Sequence, residues 1–305
     1  MFQGIFDRKT ISLNGMWDYR IDQNDIGKRQ SWYLTDYSGN GWRTIQVPGN
    51  WYLNEEIGDY FGTIWYKKDF HLTEKKGERI FVRFEGVDYI AEVWLNGKYL
   101  GFHEGMFNPF EFEITDFVDY DGNNTLIVRD CAPKDPTEFI EADNDETPLS
   151  DGYKFHQSKG ITQIKGHMIE AMHRPGCYSK YRMDGNSGGI WGNVSIVTKP
   201  EIFIENVKIF TKIDMNGDGR EYQDSAMASF DVYINSNCAK EKEIELGLDI
   251  TPYNFEQEMD CTVKRTVIVR PGSNRFKLTA RIEQVALWWT WDHGNPNLYT
   301  ASITA

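Results

Sequence analysis

Hydrophobic and polar residues alternate with a period of two along most of this chain, and helical spacing is rare. Ile80, Val82 and Phe84 alternate with Phe81, Arg83 and Glu85; Ala91, Val93 and Leu95 with Glu92 and Trp94; Phe110, Phe112 and Ile114 with Glu111 and Glu113. A strand turns successive side chains to opposite faces, so each run predicts one buried face. Asn96-Gly97 sits between Val93-Trp94-Leu95 and Lys98-Tyr99-Leu100. That pair tolerates two successive positive φ angles and predicts a tight hairpin.

The pattern is interrupted at Lys199-Pro200 and restarts with Ile202 and Ile204. Proline cannot donate to a ladder of hydrogen bonds, which places a domain boundary there, with residues 1–200 in one domain and 201–305 in the next. Ala226, Ala228, Phe230, Val232 and Ile234 then form one alternating set, Ile244, Leu246, Leu248 and Ile250 a second, and Phe276, Leu278 and Ala280 a third. About seven short strands in roughly 105 residues is the rhythm of an immunoglobulin-like sandwich. The first domain is longer than one such sandwich needs and fits a jelly roll with insertions, so the fold class is all-β, a jelly-roll sandwich followed by an immunoglobulin-like one. Two stretches break the rhythm. Asp130 to Asp151 is rich in acids and prolines and reads as a loop, either a solvated insertion or a rim over a ligand site. Gln163 to His173 predicts a short helix stopped by Pro175-Gly176.

Composition narrows the function classes. The chain has 305 residues, with 33 Lys and Arg against 46 Asp and Glu, a net charge of -13. That charge repels phosphate backbones and anionic lipid headgroups, so neither nucleic acid nor a membrane surface is an expected partner. No window approaches the roughly 18 apolar residues that a membrane helix needs. Met1-Phe2-Gln3-Gly4-Ile5-Phe6-Asp7-Arg8 does not read as a leader, which points to the cytoplasm if Met1 is the native start; a trimmed leader would make the protein extracytoplasmic. Cys131, Cys177, Cys238 and Cys261 contain no short-spaced pair, which argues against a disulfide framework or a zinc knuckle. Homo-oligomerisation is left open.

Candidate chemistry is sparse. His167, Glu170 and His173 are spaced H-x-x-E-x-x-H, but i and i+6 lie roughly 240° apart on a helix and cannot share a metal as i and i+4 do. Gly185-Asn186-Ser187-Gly188-Gly189 is not read as a nucleophile elbow, and no hydrolase triad is assigned. Asp214, Asn216 and Asp218 with Gly219 match the first half of a calcium loop, although Ser225 replaces the glutamate expected at the twelfth position. A plain polar hairpin loop between strands competes with a structural calcium site. No other cofactor is indicated. Trp42, Trp51, Trp65, Trp94 and Trp191 in the first domain, and Trp288, Trp289 and Trp291 near the end, serve either as core or as apolar platforms for sugar rings.

Trp42-Arg43-Thr44-Ile45-Gln46-Val47-Pro48-Gly49-Asn50-Trp51 and Gly62-Thr63-Ile64-Trp65-Tyr66-Lys67-Lys68-Asp69-Phe70 resemble the amino-terminal domain of glycoside hydrolase family 2. In the family's order follow Phe84-Glu85-Gly86-Val87-Asp88, Val93-Trp94-Leu95-Asn96-Gly97, Pro109-Phe110 and Gly188-Gly189-Ile190-Trp191, and finally Leu287-Trp288 with Asn295-Pro296-Asn297-Leu298-Tyr299. The resemblance implies a galactose-binding-like jelly roll and an immunoglobulin-like domain in front of a catalytic TIM barrel, in a retaining exo-β-glycosidase that acts on carbohydrate. Both catalytic glutamates of the family stand on the barrel, and no catalytic residue is assigned in residues 1–305. In some members the jelly roll lends residues to the rim of the sugar pocket. The corresponding places here hold Asp59-Tyr60 and Asp184-Gly185-Asn186, with Asp184 either the acceptor for sugar hydroxyls or a solvated turn aspartate. A free-standing carbohydrate-binding or scaffold module is the competing expectation.

Overall fold

The computed structural model describes residues 10–35, 39–58, 60–73, 79–132, 187–215 and 222–305. The chain divides into two compact units, Met1–Thr198 and Lys199–Ala305. The described residues hold strands and one short 3-10 turn, and no α-helix.

The first unit contains β1 (Thr10–Ser12), β2 (Gly15–Asp22), β3 (Arg43–Val47), β4 (Gly62–His71), β5 (Arg79–Phe84), β6 (Ile90–Leu95), β7 (Lys98–Glu104), β8 (Phe110–Glu113), β9 (Asn123–Ala132) and β10 (Val194–Lys199). They form a six-stranded sheet in the order β3-β2-β4-β9-β6-β7 and a four-stranded sheet in the order β1-β10-β5-β8. Neighbours in the larger sheet pair antiparallel. The order is not sequential, and the long-range pairings between β4 and β9 and between β1 and β10 close a sandwich rather than a meander. One hydrophobic core fills it, with Trp17, Tyr19, Ile64, Tyr66, Val93 and Leu126 from one sheet and Ile80, Val82, Phe84 and Ile196 from the other. The hairpin between β6 and β7 turns on Asn96 at φ 50° and Gly97 at φ 76°, the two positive angles expected of that dipeptide.

Several strands are buried on both faces, where alternation predicts one. In β4, Ile64 and Tyr66 enter the sandwich, while Trp65 turns outward and packs with Trp94 of β6, Ile127 of β9 and Trp32 in a second, smaller cluster. The stretch after β2 covers that outer face. Asp22 accepts hydrogen bonds from the backbone N–H groups of Ile26 and Gly27, both at 2.8 Å, and from Trp65 Nε1 at 2.9 Å. Arg20 lies over the Trp32 ring, 3.7 Å from its centroid. A buried carboxylate thus fixes the turn that lays an aromatic layer over the sheet.

The acidic stretch that the sequence begins at Asp130 starts later. Asp130 lies inside β9, wholly buried on the same face as Leu126, Val128 and Ala132. The rest of that stretch and the helix expected over Gln163 to His173 lie outside the described residues.

The second unit contains β11 (Ile202–Met215), β12 (Tyr222–Ser236), β13 (Lys242–Pro252), β14 (Thr262–Val269), β15 (Gly272–Glu283) and β16 (Tyr299–Thr304). Two three-stranded antiparallel sheets, β11-β12-β15 and β14-β13-β16, enclose a core of Phe230, Val232, Ile234, Leu246, Leu248, Ile250, Val269 and Leu278. Six strands stand among the described residues of this unit, where about seven were expected.

Candidate functional site

At one end of the first sandwich, the residues from Ser187 to Ile190 are strapped down between two loops. After β3, Asn50 caps a 3-10 turn over Trp51–Leu53, accepting from the Tyr52 N–H at 3.1 Å. From this turn, the Gly49 N–H donates to the Ile190 carbonyl and the Trp51 N–H to the Gly188 carbonyl, both at 2.9 Å. The Gly188 N–H returns a bond to Asn50 Oδ1 at 3.3 Å. On the other side, Asp88 and Gly189 exchange backbone bonds of 3.0 and 3.3 Å. Glycine is required at this crossing. Gly189 has φ +109°, and a Cβ there would stand 3.0 Å from the Gly49 carbonyl oxygen and 3.1 Å from the Tyr66 hydroxyl.

Aromatic and acidic side chains line the strap. Trp51 is fully buried, and the Tyr60 ring lies 6.1 Å from it at a tilt of 55°. Asp88 and Asp130 are both 0 % exposed. Burial above all, and then the charges of Asp130, Tyr19 and Asp88, push the Tyr66 hydroxyl well above the ordinary tyrosine value, so it stays protonated. Both acids are enclosed within the first unit.

Among the residues that the sequence points to, Tyr60 is described. It is half-buried, its hydroxyl donates to the Thr63 carbonyl, and the Thr63 N–H donates back to it, both at 3.2 Å. Burial raises its pKa, and the bond with Thr63 opposes that rise. Tyr60 therefore fixes the start of β4 beside the strap. Asp59, Asp184 and Asn186 lie outside the described residues. Trp191 follows the strap and is partly exposed. Its Nε1 donates to the Met106 carbonyl at 3.1 Å, and its ring meets Phe107 edge-on, 6.3 Å between centroids.

In the second unit, Asp214 closes the hairpin between β11 and β12. Its carboxylate accepts from Ser225 Oγ at 2.7 Å and pairs with Arg281 Nη1 at 2.8 Å. Ser225, at the twelfth position of the calcium-type pattern, thus hydrogen-bonds the residue at the first. A guanidinium already satisfies that carboxylate. Asn216 and Asp218 lie outside the described residues, and no group of three or more His, Cys, Asp or Glu suited to a metal stands among the described ones.

The crossing at Gly189 and the burial of Asp88 left no signal of their own in the sequence, since each depends on segments far apart in the chain. Asp130 did leave one: counting by twos from Leu126 puts it on the core face.

The model of the glycosyl hydrolases family 2 sugar binding domain matches residues 10–161, and that of glycosyl hydrolases family 2 matches residues 203–305. A β-glucuronidase of Bacteroides fragilis is 50% identical over 54 residues, 18% of this chain and 8% of that protein. A β-galactosidase of Thermoanaerobacterium thermosulfurigenes is 26% identical over 239 residues, 73% of this chain and 25% of that protein. Among solved structures, a calcium-binding mutant of Bacteroides uniformis β-glucuronidase 2 superposes with a TM-score of 0.66 and 19% identity, over 97% of this chain and 30% of that one. The chain spans about a quarter or less of the length of these curated relatives.

Proposed function

The chain belongs to glycoside hydrolase family 2, and from that premise we propose that residues 1–305 are the non-catalytic jelly-roll and immunoglobulin-like modules of a retaining exo-β-glycosidase, β-galactosidase-like in its chemistry. The observation that carries this reading is the succession of the two family domains on a chain whose units are both β sandwiches. Retention needs two carboxyl groups about 5 Å apart on either side of an accessible glycosidic bond. Asp88 and Asp130 are enclosed and do not meet that requirement. In this reading the working pair stands on a barrel in the remainder of the full-length protein, and its acid–base chemistry needs no cofactor.

The jelly roll then acts on the substrate through its rim. The strap from Ser187 to Ile190 is anchored on Asn50, Trp51 and Asp88, and the sequence just before it carries Asp184 and Asn186. Asp184 accepts hydrogen bonds from adjacent sugar hydroxyls, and Asn186, Asp59 and Tyr60 complete the rim. The Asp214 stretch is read as a polar hairpin connection held by Arg281.

Purified 305-residue chain is expected to release no chromophore from nitrophenyl β-galactosides, β-glucuronides or β-mannosides, and turnover that survives rigorous purification would contradict the proposal. In the full-length protein, Asp184→Ala should lower kcat/KM by about 10- to 100-fold, the worth of a hydrogen bond to a charged group. An unchanged kcat/KM removes Asp184 from the rim.

A further inference from the structure

The outer face of the β11-β12-β15 sheet gathers cations on an acidic chain. Residues opposite one another in a sheet point to the same side, and rows on one side recur at every second residue. The rows through Ala228, Phe230 and Val232 face the core of the second unit. The rows between and beside them therefore face out: Asn206 with Tyr233 and Arg275, Lys208 with Asp231 and Lys277, Phe210 with Ser229 and Thr279, and Lys212 with Met227 and Arg281. Such rows stand roughly 7 Å apart along the strands, and strands about 4.8 Å apart, so Lys208, Lys277, Lys212 and Arg281 mark the corners of a patch about 13 Å by 10 Å.

The arginines of this face are held in place. Arg275 Nη2 pairs with Asp231 Oδ2 at 2.6 Å, and Arg281 pairs through Nη1 with Asp214 at 2.8 Å and through Nε with Glu283 at 2.7 Å. The Lys208 ammonium lies 5.4 Å and the Arg275 Cζ 5.8 Å from the centroid of the Tyr233 ring. Lys208, Lys212 and Lys277 are exposed and have no carboxylate partner among the described residues. Phe210 stands between the Lys208 and Lys212 rows, 58% exposed. Five cations thus meet three carboxylates on a chain whose net charge is -13. At physiological salt, charges more than about 8 Å away are screened, so the local excess sets what this face attracts.

We propose that this face binds an acidic polysaccharide, with carboxylates of the sugar chain on Lys208, Lys212 and Lys277 and a sugar ring packed on Phe210. The unpaired lysines select an anion. A sugar ring brings an apolar C–H face to Phe210, and its hydroxyls need acceptors, which the exposed Glu283 carboxylate supplies. A phosphodiester backbone brings no donor for the carboxylates that stand among these cations, and a duplex packs one charge per about 1.7 Å of its length. A second copy paired antiparallel along edge strand β11 about Phe210 would set Lys208 opposite Lys212, and like charges oppose that pairing. The choice of a glycan among anionic polymers rests on the proposed function; the cationic face belongs to the second unit and takes no residue from the Asp184 rim.

The test is isothermal titration calorimetry of the 305-residue chain with three probes: an oligomer of galacturonate, the neutral galactose oligomer of the same length, and a thymidylate oligomer. The expected result is saturable binding of the galacturonate oligomer, at least about tenfold tighter than that of the other two. Changing Lys208, Lys212 and Lys277 together to Gln should weaken it at least about tenfold, two- to threefold for each exposed charge contact, and arginine at the three positions should restore it. A second triple, Lys98→Gln with Lys240→Gln and Lys264→Gln, alters the net charge equally and should stay within about twofold of the parent. Phe210→Ser should weaken binding and leave the melting temperature within about 1 °C of the parent. If the first triple fails to fold, Lys277→Glu alone decides, with an expected loss of about threefold or more. No saturable binding, equal losses in the two triples, or equal binding of the neutral oligomer overturns the proposal and leaves the functional reading standing, since that reading stands or falls on turnover. Equal or tighter binding of thymidylate assigns the face to nucleic acid, and dimerisation that Phe210→Ser abolishes assigns it to a second copy; either result overturns the proposal.

Discussion

Replacing Gly189 by alanine tests whether the strap across the first sandwich is held as tightly as its geometry implies. Two costs add at this position. An L residue at φ +109° is strained, by about 1–3 kcal/mol. The new methyl would also press on the Gly49 carbonyl oxygen at 3.0 Å and the Tyr66 hydroxyl at 3.1 Å, where ordinary contact begins at 3.4 Å. Neither neighbour gives way easily. The carbonyl belongs to the turn that bonds Ile190 and Gly188, and Tyr66 is buried in the core. Relieving the contact therefore means stretching the pair of bonds between Asp88 and Gly189, and overpacking of this kind costs about 1–3 kcal/mol. Gly15→Ala supplies the control. Gly15 lies in the same unit at φ +117°, with nothing within 4 Å of its would-be Cβ, so it feels the backbone term alone. Urea titration followed by circular dichroism should show Gly189→Ala losing about 2–6 kcal/mol and Gly15→Ala about 1–3 kcal/mol, with the excess measuring the crossing. If Gly189→Ala costs no more than Gly15→Ala, the strap is loose and the reasoning about the rim it carries fails.

Two further outcomes follow from buried polar groups. Asp22→Asn leaves one acceptor oxygen for three donors and turns an NH₂ toward the backbone or the Trp65 indole, so it should cost about 2–3 kcal/mol in urea melts and shift the Trp65 indole N–H resonance; a loss under about 0.5 kcal/mol would show that the outer aromatic layer holds without it. His103, stacked on Phe110 at 4.2 Å, has its pKa lowered from 6.5 chiefly by burial. The folded chain then binds fewer protons at this site than the unfolded chain, so the contribution is full above that value and is lost as pH falls below it. Native protein should lose stability relative to His103→Phe between about pH 7 and pH 5, and parallel stability curves for the two would refute the assignment.

Much of this architecture was legible because period two is a local signal. Ala226, Ala228, Phe230, Val232 and Ile234 all point inward along β12, and Asn96-Gly97 turns as its two residue types demand. The same signal fails where a strand is covered twice. Trp94 sits between core residues Val93 and Leu95, and its alternation with them reads as an outward face; whether that face meets water depends on a turn at Asp22, about seventy residues earlier. No local window contains that information. The resemblance was legible because its residues are those that this double coverage and the strap demand: Trp51 and Trp65 as fillers, and Gly188 and Gly189 where segments cross.

The proposed rim was less legible than the fold, for a physical reason that also bears on how the protein works. A strand pattern reports which side chains avoid water, and Tyr60 carries that report because its ring packs against Trp51 while its hydroxyl bonds Thr63. A residue selected to meet sugar hydroxyls must stay wet until substrate arrives, so its type and spacing look like those of any polar turn. What distinguishes such a residue is the stiffness of its support, and stiffness comes from distant partners. In this chain the support is visible at Gly189, bonded to Asp88 about one hundred residues away and crowded by a turn about one hundred and forty residues away. Under the proposed function, a rim at Asp184, five residues before Gly189 in the sequence, takes its support from that crossing. Stability loss at Gly189 should therefore be matched by a loss of kcat/KM in the full-length protein, whereas Gly15→Ala should lower stability alone.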